Sequence, residues 1–247
     1  VIFDPSPGRL RLVLDQGELD LLAGHAVFEP LSRSLLVADL HLGKGLTFRR
    51  HGLPVPAGSS ADTLARLDRL IGACQPERLV VLGDLLHGPQ ALHALLLDRL
   101  IDWRTRHRSL AVSLVDGNHD RRAGQLPADC GIESAGPSLR CGPWVLTHAE
   151  PDRVDAGFVI AGHVHPVIRL HGANDSLRRP CFWLRAQALV LPAFGELTGG
   201  WLVRPTPGER VFVAAGDTVL EVPPAALPGR RRPLSYARPS ATGRLRS

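Results

Sequence analysis

Four short apolar runs, each ended abruptly by a polar cluster, constrain this chain more than any other feature of it. The runs are residues 35–38, 79–82, 110–115 and 158–161. They stop at Asp39-Leu40-His41, Gly83-Asp84, Gly117-Asn118-His119-Asp120 and Gly162-His163-Val164-His165. Apolar runs this short, bounded by turn formers, read as buried β-strands. Carboxylates, an amide and imidazoles therefore leave the ends of neighbouring strands together, and His148 adds another after the run 144–147. That is how a fold gathers residues distant in sequence onto one site.

The segments between the clusters set the fold class. Residues 61–74 place Leu64, Leu67, Leu70 and Ile71 on one helical face, and residues 91–103 do the same with Leu92, Leu95, Leu96, Leu100 and Ile101. The resulting strand, loop, helix, strand, helix, strand rhythm predicts an α/β layered core with parallel strands. The first 33 residues predict a short β region, and residues 42–60, rich in Gly and Pro, predict a loop. Beyond residue 130, apolar runs at 144–147, 158–161, 167–170, 182–184, 189–191 and 211–213 predict a second, largely antiparallel sheet packed on the first. One domain over residues 1–222 is expected, followed by a tail over 223–247.

Composition bears mainly on partners and compartment. The net charge is +5, but the tail carries six arginines and no acid. Removing those six from the 29 basic residues leaves 23 against 24 acidic ones, a body near −1. The basicity belongs to the tail, whose Pro, Gly and Ser content argues against packed structure there. No apolar run approaches a membrane span, and the first residues lack the pattern of a signal peptide. Cys74, Cys130, Cys141 and Cys181 are scattered, without a CxxC pair. Reduced thiols in a cytoplasmic protein away from any membrane are the expectation.

The clusters hold a particular set of ligand types. Asp39 and His41 can turn to one ion, Asp84 is a carboxylate able to bridge two, and Asn118 offers a neutral carbonyl oxygen. His148, His163 and His165 add imidazoles, which favour Mn²⁺, Fe²⁺ or Zn²⁺ over Mg²⁺. Seven groups are too many for one ion and suit two that share a carboxylate. Such a pair can share a hydroxide and clamp both ends of an in-line displacement, as slow phosphate-ester hydrolysis requires. Lys44, Arg49 and Arg50 leave the first cluster, Arg121 and Arg122 follow the third, and His87 lies three residues after Asp84. Of these, Lys44, Arg50, His87 and Arg122 are the candidate phosphate contacts. His25, His51, His93, His107 and His171 are expected to be solvent-facing or locally bonded.

Taken in order, DxH, GD, GNHD, a lone His and GHxH resemble the calcineurin-like metallophosphoesterase superfamily, with matching positions from Asp39 to His165. The resemblance implies a double β-sheet sandwich flanked by helices (αββα), with a two-metal site at the strand ends. It also implies that Asp39, His41, Asp84 and His165 hold one ion, and that Asp84, Asn118, His148 and His163 hold the other. His119 would stabilise the transition state or protonate the leaving oxygen, oriented by Asp120. The segments Ala38–Lys44, Phe48–Pro56 and Gly83–His87 more narrowly resemble the bacterial ligase-associated DNA-repair metallophosphoesterases. That family implies Mn²⁺-dependent cleavage of single-stranded DNA beside a ligase and a helicase. A nucleotide or cyclic-nucleotide phosphoesterase is the alternative, and a non-catalytic scaffold a third reading. With one Tyr and few Phe, stacking platforms for bases look sparse.

Overall fold

The computed structural model describes residues 8–55, 58–152, 157–171 and 175–227; the arginines of the tail, Arg230 to Arg246, lie outside the described residues. The first sheet contains β1 (Arg9–Leu14), β2 (Gly17–Leu22), β3 (Ala26–Glu29), β4 (Ser34–Val37), β5 (Arg78–Val81), β6 (Ala111–Leu114) and β7 (Glu133–Ser134), side by side in chain order. Strands β1 to β4 pair antiparallel, as hairpins do, and β4 to β7 pair parallel. The parallel connections need crossovers. Helices α1 (Lys44–Arg50) and α2 (Ser59–Cys74) join β4 to β5, α3 (Ala94–Arg106) joins β5 to β6, and α4 (Asn118–Ala123) follows β6.

The second sheet is built from β8 (Ser138–Cys141), β9 (Trp144–Thr147), β10 (Phe158–Ala161), β11 (Pro166–His171), β12 (Ser176–Leu184), β13 (Ala188–Val190), β14 (Trp201–Leu202), β15 (Arg210–Ala215) and β16 (Thr218–Glu221). Its order is β14-β11-β12-β13-β10-β9-β8, with β15 joining β12 to β16. The sheet is more mixed than expected, because β10 runs parallel to both β9 and β13, and β11 parallel to β14.

The continuous apolar runs are explained by burial on both faces. Leu35, Val37, Leu79 and Val81 pack under α2 and α3 against Leu64, Leu67, Leu100 and Trp103. Their alternates Leu36, Ala38, Val80 and Leu82 pack between the sheets against Leu146, Ile160, Phe182 and Leu189. A strand buried on both sides loses the polar alternation of a surface strand. Among the described residues, the hydrophobic contacts of the helices are with the outer face of the first sheet, while the second sheet's outer face carries a separate apolar cluster that includes Ile168, Val203 and Val211.

Two expectations shift. The segment 42–60 contains α1, which sits behind a left-handed Gly43 (φ 86°) and has no side-chain cap. Helix α3 starts three residues later than the expected start at residue 91, because His93 is its N-cap and its Nδ1 accepts from Leu96 N–H. Parallel pairing then has a positional consequence. The carboxyl ends of β4, β5 and β6 lie along one edge of the first sheet, and those of β9 and β10 lie along one edge of the second. Open parallel sheets bind ligands at their carboxyl ends.

Candidate metal centre

Each cluster turns as soon as its strand stops. Eight non-glycine residues among those described have positive φ, and five of them are Asp39 (56°), His41 (46°), Asp84 (52°), His163 (68°) and His165 (50°). Left-handed backbone costs an L-residue of order 1 kcal/mol, so its concentration at one place marks a site that the surrounding structure holds in shape. Two glycines let the clusters close on one another. A Cβ at Gly117 would lie 2.2 Å from Asp84 N, and one at Gly83 would lie 2.3 Å from His148 Nδ1.

Backbone donors from one cluster fix the carboxylates of another. Asp39 Oδ2 accepts from His163 N–H (2.8 Å), and Asp84 Oδ1 accepts from His119 N–H (2.8 Å). The remaining oxygen of each faces imidazoles. Asp39 Oδ1 lies 3.3 Å from His165 Nε2, and Asp84 Oδ2 lies 3.8 Å from His41 Nε2 and 3.5 Å from His148 Nε2. Backbone carbonyls set the tautomers from the far side. His148 Nδ1–H donates to Leu82 O (3.0 Å) and His165 Nδ1–H to Gly199 O (3.2 Å), which leaves each Nε2 as a lone pair.

The expected ligand atoms fall into two groups, and His41, His87 and His119 form a further set of imidazoles beside them. Asp39, His41 and His165 form one set within 4.8 Å of one another, and Asp84, His148 and His163 form another. Asn118 Oδ1 joins the second at 2.9 Å from His148 Nε2, whose other neighbour, His163 Nδ1, is at 3.0 Å. Asp84 Oδ2 stands between the sets, next to one imidazole of each. Asp39 Oδ1 is buried without a hydrogen-bond donor, a costly state for a charged oxygen. Ring nitrogens that face each other, such as His41 Nε2 and His165 Nε2 at 3.4 Å, are placed so that one cation could satisfy both. Burial, the Lys44 charge and neighbouring imidazoles push His41 down to about 2, and burial lowers His163, so both are biased towards the neutral form in which a ring nitrogen can bind a metal. The residues present fit two divalent ions.

His119 stands beside this centre. Its Nδ1–H donates to His87 O (2.6 Å), and its ring stacks on His87 with centroids 5.1 Å apart. The expectation that Asp120 orients this imidazole is corrected here. Asp120 instead accepts from Leu86 N–H (2.9 Å), Leu85 N–H (3.3 Å) and Gly117 N–H (3.3 Å), so it fastens the 84–86 turn to α4. A carboxylate beside three unsatisfied turn amides is drawn to them, and His119 Nδ1–H is already taken by His87 O. His87 is closer to the centre than its sequence position suggests, with Nδ1 3.5 Å from His41 Nδ1. Burial, Lys44 and His119 lower it to about 4.

Among the cationic candidates, Lys44 is the one drawn into the site. Burial lowers its ammonium pKa against the opposing pull of Asp39 and Asp84, and the group lies 5.7 Å from the Phe48 ring centre. Arg50 ends α1 and Arg122 lies in the last turn of α4, both exposed. The other histidines divide. His51 and His93 bond locally to Thr47 O and Leu96 N, and His171 is exposed at the end of β11, whereas His107, half-buried after α3, reaches across to Asp68 on α2 (2.7 Å). His25 also departs from the expectation: it is half-buried beside Arg66 and the Ala193 backbone, and burial lowers its pKa to about 4.

One supporting segment gave no ligand-type signal in the sequence. After β13 the chain passes behind Asp39, where Phe194 N–H donates to Ala38 O (2.7 Å) and Gly195 N–H to Asp39 O (3.0 Å). Arg66 on α2 clamps it, donating to Phe194 O and lying 4.3 Å from the Phe194 ring centre. The pattern of an apolar run followed by Pro192-Ala193-Phe194-Gly195 repeats that of the ligand clusters, but without a ligand residue.

Comparison with known proteins adds to this geometry. Residues 32–173 match the calcineurin-like phosphoesterase family. Curated protein sequences gave no match. Among solved structures, the nuclease MPE of Pseudomonas putida superposes with a TM-score of 0.77 at 40% identity, over 87% of this chain and 100% of that one. Yfce, a phosphoesterase from E. coli, aligns over 78% of this chain and 98% of that one, at 16% identity and a TM-score of 0.41, too distant to carry an argument.

Proposed function

This chain belongs to the calcineurin-like phosphoesterase family and is a metal-dependent phosphoesterase, and from that premise we propose that it is an endonuclease of single-stranded DNA acting in repair. The observation that carries the reading is Asp84 Oδ2, set between two ligand groups that both have unspent donor atoms. Asp39, His41, Asp84 and His165 would hold one ion, and Asp84, Asn118, His148 and His163 the other; the set accepts Mn²⁺, Fe²⁺ or Zn²⁺, and the ligase-associated motifs favour Mn²⁺. When bound, such a pair supplies a nucleophile near neutral pH and charge stabilisation at both ends of an in-line displacement.

The chain's own residues do the rest. Backbone amides hold Asp39 and Asp84 so that each keeps one oxygen turned inward. His119, with Nδ1–H fixed on the His87 carbonyl, has Nε2 left to carry a proton to the leaving sugar oxygen. Asp120 positions the turn that carries His87 and so acts on His119 at one remove. Lys44 and His87 line the centre and offer donors to phosphate oxygens, and Arg50 and Arg122 offer forks to flanking phosphates. DNA as substrate is supported by the likeness to the P. putida nuclease and by the ligase-associated sequence motifs, which also suggest a ligase and a helicase as pathway partners. No helix among the described residues is long and apolar enough to cross a membrane, and the four cysteines are free, which supports a cytoplasmic setting.

The test compares three substrates under Mn²⁺: single-stranded DNA, nucleotides or cyclic nucleotides, and bis(p-nitrophenyl) phosphate. Cleavage of DNA is expected. Turnover of the small esters with DNA left intact would replace the reading with that of a nucleotide phosphoesterase. His119→Ala should lower DNA cleavage about 10²- to 10⁴-fold and the aryl diester far less, since p-nitrophenolate leaves without a proton. Equal losses on both would remove His119 from the acid role.

A further inference from the structure

We propose that the cavity walled by His165 and the start of the β11–β12 hairpin holds one nucleobase next to the scissile phosphate, and that Arg169 and Arg178 receive the phosphate beyond that base. The inference rests on the nuclease reading above and names the parts of a strand that the chain would grip outside the metal centre.

The cavity, of about 260 Å³, has His165 in its wall together with Val167, Pro180, Arg66, Glu196 and Thr198. It therefore begins at a residue of the first ligand group. Glu196 and Thr198 also line the narrow crevice beside His41 and Lys44, another ligand of that group and the cation drawn towards it. The larger cavity beside α4, of about 450 Å³, has none of the seven expected ligands in its wall.

Charge decides what enters. Glu196 is exposed, and its Oε1 stays 4.0 Å from Arg66 Nη1, beyond hydrogen-bond distance. A carboxylate only accepts hydrogen bonds, so it repels a phosphate and favours a neutral N–H group. Every nucleobase carries one on its Watson–Crick edge. Val167 and Pro180 offer the ring an apolar wall.

Further along, the same face turns cationic. Val167 and Pro180 are register partners, and Arg169 and Arg178 are the next pair on that face, about 7 Å on by the rise of a strand. Both arginines are exposed, and Arg178 is held by Gly200 O (3.1 Å). Like charges placed directly opposite in a sheet are unfavourable, and a phosphate between them relieves the repulsion. The order is a metal ligand, an apolar wall with one carboxylate, then paired guanidinium groups. A strand laid across it would present phosphate, base and phosphate in that order.

The test follows cleavage of oligothymidylate with one abasic residue, a tetrahydrofuran, at its centre. The phosphate on one side of that residue should be cut about 10- to 150-fold less than in the all-thymine strand, the range for a lost hydrogen bond to a charged group. The phosphate on the other side should be cut as before. Glu196→Ala should lower cleavage of the all-thymine strand by a similar factor, erase most of the one-sided gap and leave bis(p-nitrophenyl) phosphate hydrolysis unchanged. Arg169→Gln with Arg178→Gln should flatten the dependence of log KM on log salt by about 1.4 if each arginine neutralises one phosphate of a single strand. Thymidine monophosphate should inhibit aryl diester hydrolysis more tightly than deoxyribose phosphate, and Glu196→Ala should close that difference. Cuts indifferent to the missing base would overturn the base site, and an unchanged salt slope the arginine pair, with the nuclease reading left standing. Tighter inhibition by the nucleotide without cleavage of DNA would keep the base site and overturn the nuclease reading. Neither cleavage nor a difference between the two monophosphates would overturn both.

Discussion

Asp39 and Asp84 show how much a ligand residue depends on its neighbours: each has one oxygen tied to another cluster's backbone N–H and the other left for the ions. Gly117 is where this can be tested without touching a ligand. A Cβ there would meet Asp84 N and Oδ1 at 2.2 and 2.3 Å and Asp120 Oδ2 at 2.7 Å. Gly117→Ala should therefore cost roughly 1–3 kcal/mol of stability, the range for overpacking, and lower the bound metal per chain. Unchanged denaturation and two metals by elemental analysis would count against the close approach. The residues that converge at the strand ends were legible in the sequence because their types, carboxylate, amide and imidazole, follow directly on apolar runs. The support of His119 by the His87 carbonyl was not legible. A bond to a backbone oxygen leaves no mark on residue identity, and the nearby Asp120 drew the assignment to itself.

At the scale of elements, the central strands and helices α2 and α3 could be read because burial on two faces and 3.6-residue periodicity both write themselves into sequence. Helix α1 could not, since a Gly-capped, seven-residue helix holding Gly45 has little propensity of its own and forms against α2 and the turn at Pro89–Ala91. Strand β12 was also read too short. It begins at Ser176, and its first half, with Leu177, Arg178 and Arg179, is exposed. The turn between β2 and β3 carries His25 onto the Ala193 backbone, joining the first sheet to the segment behind Asp39. Its folded pKa of about 4 lies below the unfolded value of 6.5, so the unfolded chain takes up the proton first as pH falls. The neutral ring's contribution is complete above pH 6.5 and is lost between there and about 4. In metal-free protein, wild type should lose up to about 3 kcal/mol more than His25→Asn across that window. Parallel loss in urea titrations of the two would assign the pH dependence to other groups.

For the whole molecule, the first sheet closes at Ser134 and the second opens at Ser138, so the two sheets are consecutive lengths of chain. The ions would join them. Metal added at 100 times its Kd should stabilise the fold by about 2.7 kcal/mol per site, a rise of roughly 5–10 °C in Tm for a chain of this size, and chelator should reverse it. A Tm indifferent to both would show that the sheets need no such link. The double sheet itself was visible in the change of rhythm near residue 130, whereas the mixed pairing of the second was not, because strand direction is set by partners that sequence does not record. The division of the ligands between the sheets has a practical meaning. Asp39, His41, Asp84 and Asn118 come from the first, and His148, His163 and His165 come from the second. Neither half carries a complete set, so turnover would be a readout of assembly: a preparation in which the halves have formed but not yet docked would look folded by its secondary structure and be silent in an activity assay.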